Sequence, residues 1–265
     1  MLLNGKVALV TGAGPNIGGR IAAVLAEAGA SVGCNDISVS AAEDAAESLR
    51  HTDGGGLALA GDITDEAQAE QMVARLVDRF GRIDILVNNA AVTVPHGLLD
   101  TSLDEWNRVL NINLTGSFLM SRAAARHMVA QGTGGSIVNI ASTSGHRGRA
   151  DALAYCSAKG GVLNMTRAMA MDLAPHNIRV NSVSPTKTGV SVGNLESAGE
   201  RFFAEIPLGR LGDPVDHAQA VLFLASEQSA FCTGIDIRVD GGALATWGLQ
   251  PSARAHLESE KSGAR

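Results

Sequence analysis

Aromatic side chains are scarce in this chain: six Phe, two Trp and a single Tyr, Tyr155, among 265 residues. An extended base-stacking surface for single-stranded nucleic acid is therefore not expected. Positive charge is the minority sign, 21 Lys and Arg against 27 Asp and Glu, for a net charge of −6. Nucleic acid is held mainly by clustered Lys and Arg, so it is excluded as the main partner. No apolar run approaches the ~20 residues of a spanning helix. Met1–Lys6 lacks the basic segment and apolar core of a signal peptide. The expectation is a cytoplasmic protein without membrane contact. Three cysteines, Cys34, Cys156 and Cys232, are odd in number, far apart and without metal-ligand spacing. They read as reduced, mostly buried thiols, and no metal is expected.

Apolar residues and glycine are plentiful, at 45% and 31 residues. A disordered chain is excluded, and a chain this long can bury ~70% or more of its unfolded surface without a staple. Short β-branched runs alternate with longer helical segments. Strands are expected at Lys6–Thr11, Ser31–Asp36, Leu57–Gly61, Ile83–Asn88, Gly135–Ala141, Ile178–Val183 and Ile235–Val239. Helices are expected at Ile17–Ala28, Ala41–Arg50, Asp65–Phe80, from Ser102 or Asp104 to about Val129, at Ala152–Leu173 and at Pro214–Ala225. This alternation predicts an α/β fold, a doubly wound (Rossmann) parallel sheet of seven strands with helices on both faces. No linker divides it, so residues 1–243 read as a single domain. Residues 186–210 would form a substrate lid and residues 244–265 a polar tail. In such sheets ligands bind beyond the carboxyl ends of the strands.

The first strand runs into Thr11-Gly12-Ala13-Gly14-Pro15-Asn16-Ile17-Gly18. A strand, a glycine-rich turn and a helix start make a pyrophosphate cradle: backbone N–H groups approach the phosphates and the helix end supplies positive potential. The loop departs from G-x-G-x-x-G at Ile17 and fits T-G-x-x-x-G-x-G with Asn16 at the middle Gly. Asn tolerates a left-handed backbone better than most residues. The plain alternative is a tight turn. Asp36 ends the second strand, where a carboxylate can bind the adenosine ribose hydroxyls or cap a turn. With no cation beside it in sequence, it favours NAD over NADP. Asp62, with Ile63 next to it, could meet the adenine amino group or cap the following helix.

Tyr155 and Lys159 are four residues apart on a predicted helix and share a face. An ammonium nearby favours the phenolate of a group whose reference pKa is ~10, preparing it for acid/base work on a carbonyl or alcohol oxygen. Ser142, after the fifth strand, could donate to the same oxygen. Alone, the pair could be an ordinary helix surface pair and Ser142 a loop serine. Their combination with the phosphate loop points to a site.

These motifs, with Asn88-Asn89-Ala90-Ala91, Asn111-Ile112-Asn113-Leu114, Tyr155-Cys156-Ser157-Ala158-Lys159, Arg179–Pro185 and Val239-Asp240-Gly241-Gly242, stand in the order found in short-chain dehydrogenases/reductases. From Leu3 to about Ala243 the chain resembles that family. The resemblance implies Tyr155 as acid/base and Ser142 as the group polarising the substrate oxygen. It makes Lys159 the holder of the nicotinamide ribose, lowering the Tyr155 pKa, and Asn113 the anchor of a relay water. It gives Asn88–Ala91 a stabilising role, with Asn89 and Ala90 lining the adenosine ribose. Cofactor contacts are implied at Gly12, Asn16, Ile17, Gly18, Asp36, Asp62, Ile63, Asn89, Ala90, Tyr155, Lys159, Pro185 and Thr188. Hydride transfer needs no metal.

Asn16, Ala91, Thr186 and Val190 depart from the family pattern, the last where the carboxamide is held; the Thr188 backbone, with its hydroxyl or that of Ser191, could substitute. His96, His146, Arg147 and Arg149 follow strands on the substrate side, either as solvated loop charges or as contacts to an anionic substrate group. Trp106 and Trp247 read as core, interface or pocket cover. The functional expectation is an NAD-dependent alcohol dehydrogenase or carbonyl reductase acting on a small alcohol or ketone. The alternatives are a 3-oxoacyl-carrier-protein reductase, against which Asp36 counts because biosynthetic reduction draws on NADPH, and a dinucleotide sensor without turnover. Apolar and small residues on more than one face of the two long helices imply a self-association surface, and the resemblance implies that copies pair through these helices as a homotetramer.

Overall fold

The computed structural model describes residues 1–188 and 206–246. Most of the expected lid, with Val190 and Ser191, lies outside them, as do Trp247 and the tail from there on.

The seven strands are β1 (Val7–Thr11), β2 (Ser31–Asp36), β3 (Gly56–Ala60), β4 (Ile85–Asn88), β5 (Gly135–Ile140), β6 (Ile178–Pro185) and β7 (Asp236–Val239). They form one sheet in the order β3-β2-β1-β4-β5-β6-β7, and every pair is parallel. The expected doubly wound sheet is therefore present. The chain turns outward in opposite directions from β1 and β4, which opens the crevice between their carboxyl ends. Central strands buried on both faces are why β1 and β4 read as continuous apolar runs.

Helices α1 (Ile17–Glu27), α2 (Val39–Ser48) and α7 (Pro214–Ala225) cover one face, where Ile21, Leu25, Val221 and Leu224 pack on Val10, Val87 and Val138. On the other face, α3 (Glu66–Phe80), α5 (Gly116–Gln131) and α6 (Leu153–Leu173) bring Met72, Leu76, Met120 and Ala170 onto Leu9, Leu86 and Ile137. Asp65, not Asp62, caps α3, its side chain accepting from the Gln68 N–H.

The helix expected from Ser102 or Asp104 to about Val129 is present as one helical path from Leu103 to Gln131, with a wide turn inserted in it. α4 (Leu103–Leu110) begins in a capping box between Ser102 and Glu105 and gives way to a wide π-turn at Asn111–Thr115 before α5. The cause is Asn113. Its buried amide donates to the Val109 carbonyl at 2.8 Å and to Val92 O at 2.9 Å, taking a main-chain acceptor and fastening the helix to the segment after β4. Such insertions are frequent at functional sites. Of the three free cysteines only Cys34 is fully buried; the others are half-buried. No helix among the described residues is long and apolar enough to cross a membrane.

Candidate active site

The phosphate loop is held by close backbone packing. Gly12 has φ +60°, and a Cβ there would stand 2.8 Å from the Ala90 Cα; at Gly18 it would stand 1.9 Å from the Gly12 carbonyl oxygen. Only glycine permits α1 to start this close to the loop. Asn16 takes φ 97°, ψ −141°, well outside the left-handed helical region that Asn tolerates, so this turn carries strain of ~1–3 kcal/mol. Asn89, expected on the adenosine-ribose side, packs beneath the loop. It braces the loop, donating to Thr11 O and Gly12 O at 3.1 and 2.8 Å, while the Asn89 and Ala90 N–H groups donate to the Thr11 hydroxyl.

Beyond the ends of β1, β2, β3 and β4 lies a cavity of about 450 Å³, lined among others by Gly12, Asp36, Asp62, Ile63, Ala90 and Arg108. The Asp36 carboxylate accepts from the Gly14 N–H at 3.3 Å and the Ser38 N–H at 3.0 Å, so it serves as a turn acceptor and also faces the cavity. Asp62 accepts from the Thr64 N–H and hydroxyl, both at 2.8 Å. Arg108, on α4, was invisible as a cavity residue in the sequence. It stands far from Asp36 along the chain and carries no motif.

Around Tyr155 the structure brings together Ser142 and Lys159. Ser142 is nearly buried and accepts from the Ser144 N–H at 3.1 Å. That bond takes an oxygen lone pair and leaves the hydroxyl proton free, and Ser142 is the first of the neighbours that oppose the burial shift of the Tyr155 phenol. Lys159 is buried and donates through Nζ to the Ile140 carbonyl at 2.6 Å, 5.8 Å from the Tyr155 ring centre. Burial pushes its pKa down to about 8. Four-residue spacing on one helix face predicts that this ammonium draws the phenol down. Instead burial raises the Tyr155 pKa, opposed by the Ser142 hydrogen bond and the Arg149 charge. Lys159 is turned to the strand end, with the Ile140 carbonyl as its partner. Trp106 belongs to a small core with Val92, Val94, Val109 and the Tyr155 ring.

A buried chain of amides ties the site to the sheet. Asn88 donates to Ser121 and to Asn139 at 2.8 Å, and Asn139 donates to Thr166 on α6 at 2.9 Å. Asn139 and Thr166 belong to no motif, so the sequence offered no signal for them. Thr188 turns its hydroxyl inward, 2.9 Å from His217 Nε2 and 3.1 Å from the Thr186 carbonyl. A hydroxyl so engaged is withdrawn from a carboxamide, leaving the backbone.

His217 is fully buried, and burial pushes its pKa from 6.5 down to about 4, with Asp216 and Asp213 pulling the other way and Arg210 adding to the shift. Between those values the unfolded chain takes up a proton that the folded chain refuses. The stability from neutral His217 is therefore complete above pH 6.5 and lost as pH falls toward 4, to the extent of ~3 kcal/mol. Denaturant unfolding at a series of pH values checks this. His217→Leu should flatten that part of the profile, and an unchanged slope would contradict it.

The fold, the glycine loop and the Ser-Tyr-Lys cluster together define a nicotinamide-dependent oxidoreductase class, and the comparisons agree. Residues 12–243 match the family model described as enoyl-(acyl carrier protein) reductase. The chain is 38% identical over 250 residues to meso-2,3-butanediol dehydrogenase of Serratia marcescens, covering 94% of this chain and 98% of that protein. It is 38% identical to the 3-oxoacyl-[acyl-carrier-protein] reductase FabG of Thermotoga maritima, covering 91% and 99%. It is 40% identical to trans-4-hydroxycyclohexanecarboxylate dehydrogenase of Sinomonas cyclohexanicum, covering 94% and 96%. Among solved structures, NAD+-bound xylitol dehydrogenase superposes with a TM-score of 0.87 at 35% identity, over 91% of this chain and all of that one. The chain belongs to the short-chain dehydrogenase/reductase family of oxidoreductases.

Proposed function

We propose that this protein is a cytoplasmic NAD-dependent dehydrogenase that interconverts a small secondary alcohol and its ketone. The observation that carries the reading is the Ser142–Tyr155–Lys159 cluster beside a glycine cradle that opens on Asp36. The loop and cavity fit a dinucleotide: the glycines at 12 and 18 let α1 and the segment after β4 close on the loop, and the adjoining cavity carries the Asp36 carboxylate, with Arg108 also on its wall. Gly12, Asn16, Ile17 and Gly18 would hold the pyrophosphate. Asp36 would hold the ribose hydroxyls, and Asp62 and Ile63 the adenine, with Ala90 between them. Lys159, Tyr155 and the backbone at Pro185 and Thr188 would hold the nicotinamide half. When bound, NAD supplies the hydride acceptor.

The chain's own residues do the rest. Ser142 donates to the substrate oxygen and fixes it next to the Tyr155 phenol. Because burial keeps Tyr155 protonated at neutral pH, it is ready as general acid for a carbonyl. As base for an alcohol it must first lose its proton, so oxidation should accelerate as pH rises. Lys159, already near neutrality, is suited to pass that proton on. Asn113 Oδ1 is buried without a hydrogen-bond partner among the described residues, and supplies the acceptor on which a relay water would be held. Screening secondary alcohols with NAD and following reduced nicotinamide tests the reading; turnover by Ser142→Ala at the unmodified rate would contradict it.

Acyl-carrier reduction is the second reading, favoured by the Thermotoga maritima relative. Asp36 argues against it, since it disfavours the 2′-phosphate of the biosynthetic pool.

The protein is further proposed to be a homotetramer. Leu103, Phe118, Val129 and Met171 are exposed on α4, α5 and α6, apolar surface that another copy would cover. Sedimentation should give a species of four chains; a single 27.2 kDa species would overturn the interface.

A further inference from the structure

Two histidines and two arginines follow strands on the substrate side, and the structure separates them. His96 stands 3.0 Å from Glu105 Oε1. His146 turns away from Tyr155 to the far strands, 2.9 Å from Asp236 Oδ2 and 3.1 Å from the Ser184 hydroxyl. Arg147 donates to the Ala243 carbonyl at 3.3 Å. The expected cationic rim is therefore dismantled, except for one member. Arg149 is exposed, lies 5.6 Å from the Tyr155 ring centre and pairs with no carboxylate among the described residues. The nearest acid in sequence, Asp151, takes a left-handed turn that lays its carboxylate against Gly97.

Resting on the dehydrogenase reading above, we propose that Arg149 is a specificity-determining residue that binds a carboxylate on the substrate, selecting hydroxy acids over neutral alcohols. A guanidinium this close to the phenol is within one small molecule's length of the reacting oxygen. A hydroxy acid of a few carbons can reach Ser142 and Tyr155 with its alcohol and Arg149 with its acid. The planar fork matches a carboxylate in two parallel hydrogen bonds. The cation–π contact with the Tyr155 ring, 5.6 Å from its centre, holds the guanidinium near the phenol and limits the entropy lost on binding. The unpaired state matters: the charge need not break an existing ion pair to receive the anion.

The test compares trans-4-hydroxycyclohexanecarboxylate with its methyl ester. The unmodified enzyme should favour the acid in kcat/KM by about ten- to hundredfold. Arg149→Gln should bring the ratio near one, Arg149→Lys should restore part of it, and Arg147→Gln should leave it in place. A preference that survives Arg149→Gln, or is absent from the unmodified enzyme, overturns the proposal. So does an equal fall for both substrates with a displaced pH profile, because Arg149 would then act only through the Tyr155 charge. Calorimetry with cyclohexanecarboxylate on the NAD-loaded protein gives a readout without turnover. Binding that is lost in Arg149→Gln upholds the anion site, and no binding or equal binding overturns it. Absence of turnover with any alcohol sinks the dehydrogenase reading instead, and leaves the calorimetry to decide the anion site.

Discussion

Tyr155→Phe is expected to lower kcat by about 10²–10⁴-fold, the usual loss when a positioned acid/base group is removed, while NAD affinity stays largely intact. The phenol oxygen is the group whose titration Ser142 and Arg149 both influence, and it is the only tyrosine hydroxyl in the chain. The proposed nucleotide contacts lie mostly elsewhere, along the loop and at Asp36. The two effects should separate cleanly: steady-state kinetics reads the first and calorimetric titration of NAD the second. Because burial holds the Tyr155 pKa up, the unmodified enzyme's oxidation rate should climb on the alkaline side, and the Phe variant should lose that limb. A Phe variant with near-normal kcat would remove Tyr155 from its proposed role.

The second large effect concerns the cofactor. A 2′-phosphate held ~4 Å from the Asp36 carboxylate would cost on the order of 4 kcal/mol at an effective dielectric of ~20, or about a thousandfold in kcat/KM. NAD should be preferred by a factor of that order. Asp36→Asn is the informative variant, because it removes the charge and keeps an acceptor for the Gly14 and Ser38 N–H groups that Asp36 holds. It should narrow the gap mainly by improving NADP. Arg108 lines the same cavity and is the residue that could oppose this. Equal kcat/KM for both cofactors, or an NADP preference abolished by Arg108→Ala, would contradict the assignment to Asp36.

The fold was legible because its signals are local. Apolar runs such as Val7–Thr11 can only be strands buried on both faces, and Gly12 and Gly18 announce a backbone approach that no side chain survives. Element ends were read to within about two residues in most cases. The exceptions have tertiary causes. The helix through Asn113 widens into a π-turn because that amide reaches Val92, 21 positions back. Asp62 lost the helix cap to Asp65 because its own oxygen is taken by Thr64. The site was legible in its residue types but not in its electrostatics. Spacing placed Lys159 on the face of Tyr155, yet could not show that its ammonium would prefer the Ile140 carbonyl. Nor could it show His146 and Arg147 captured by Asp236 and Ala243, positions 90 and 96 residues away. Sequence separation hides such partners, because they meet only when β5, β6 and β7 are assembled.

The central claim is hydride transfer between a secondary alcohol and NAD under the control of Tyr155. The most direct measurement uses the best alcohol from the screen with deuterium at its carbinol carbon, and mass spectrometry of the nicotinamide product. The account predicts reduced NAD carrying one deuterium for each ketone formed. NAD that binds but is never reduced by any alcohol of the screen, or reduced NAD without the label, would contradict it.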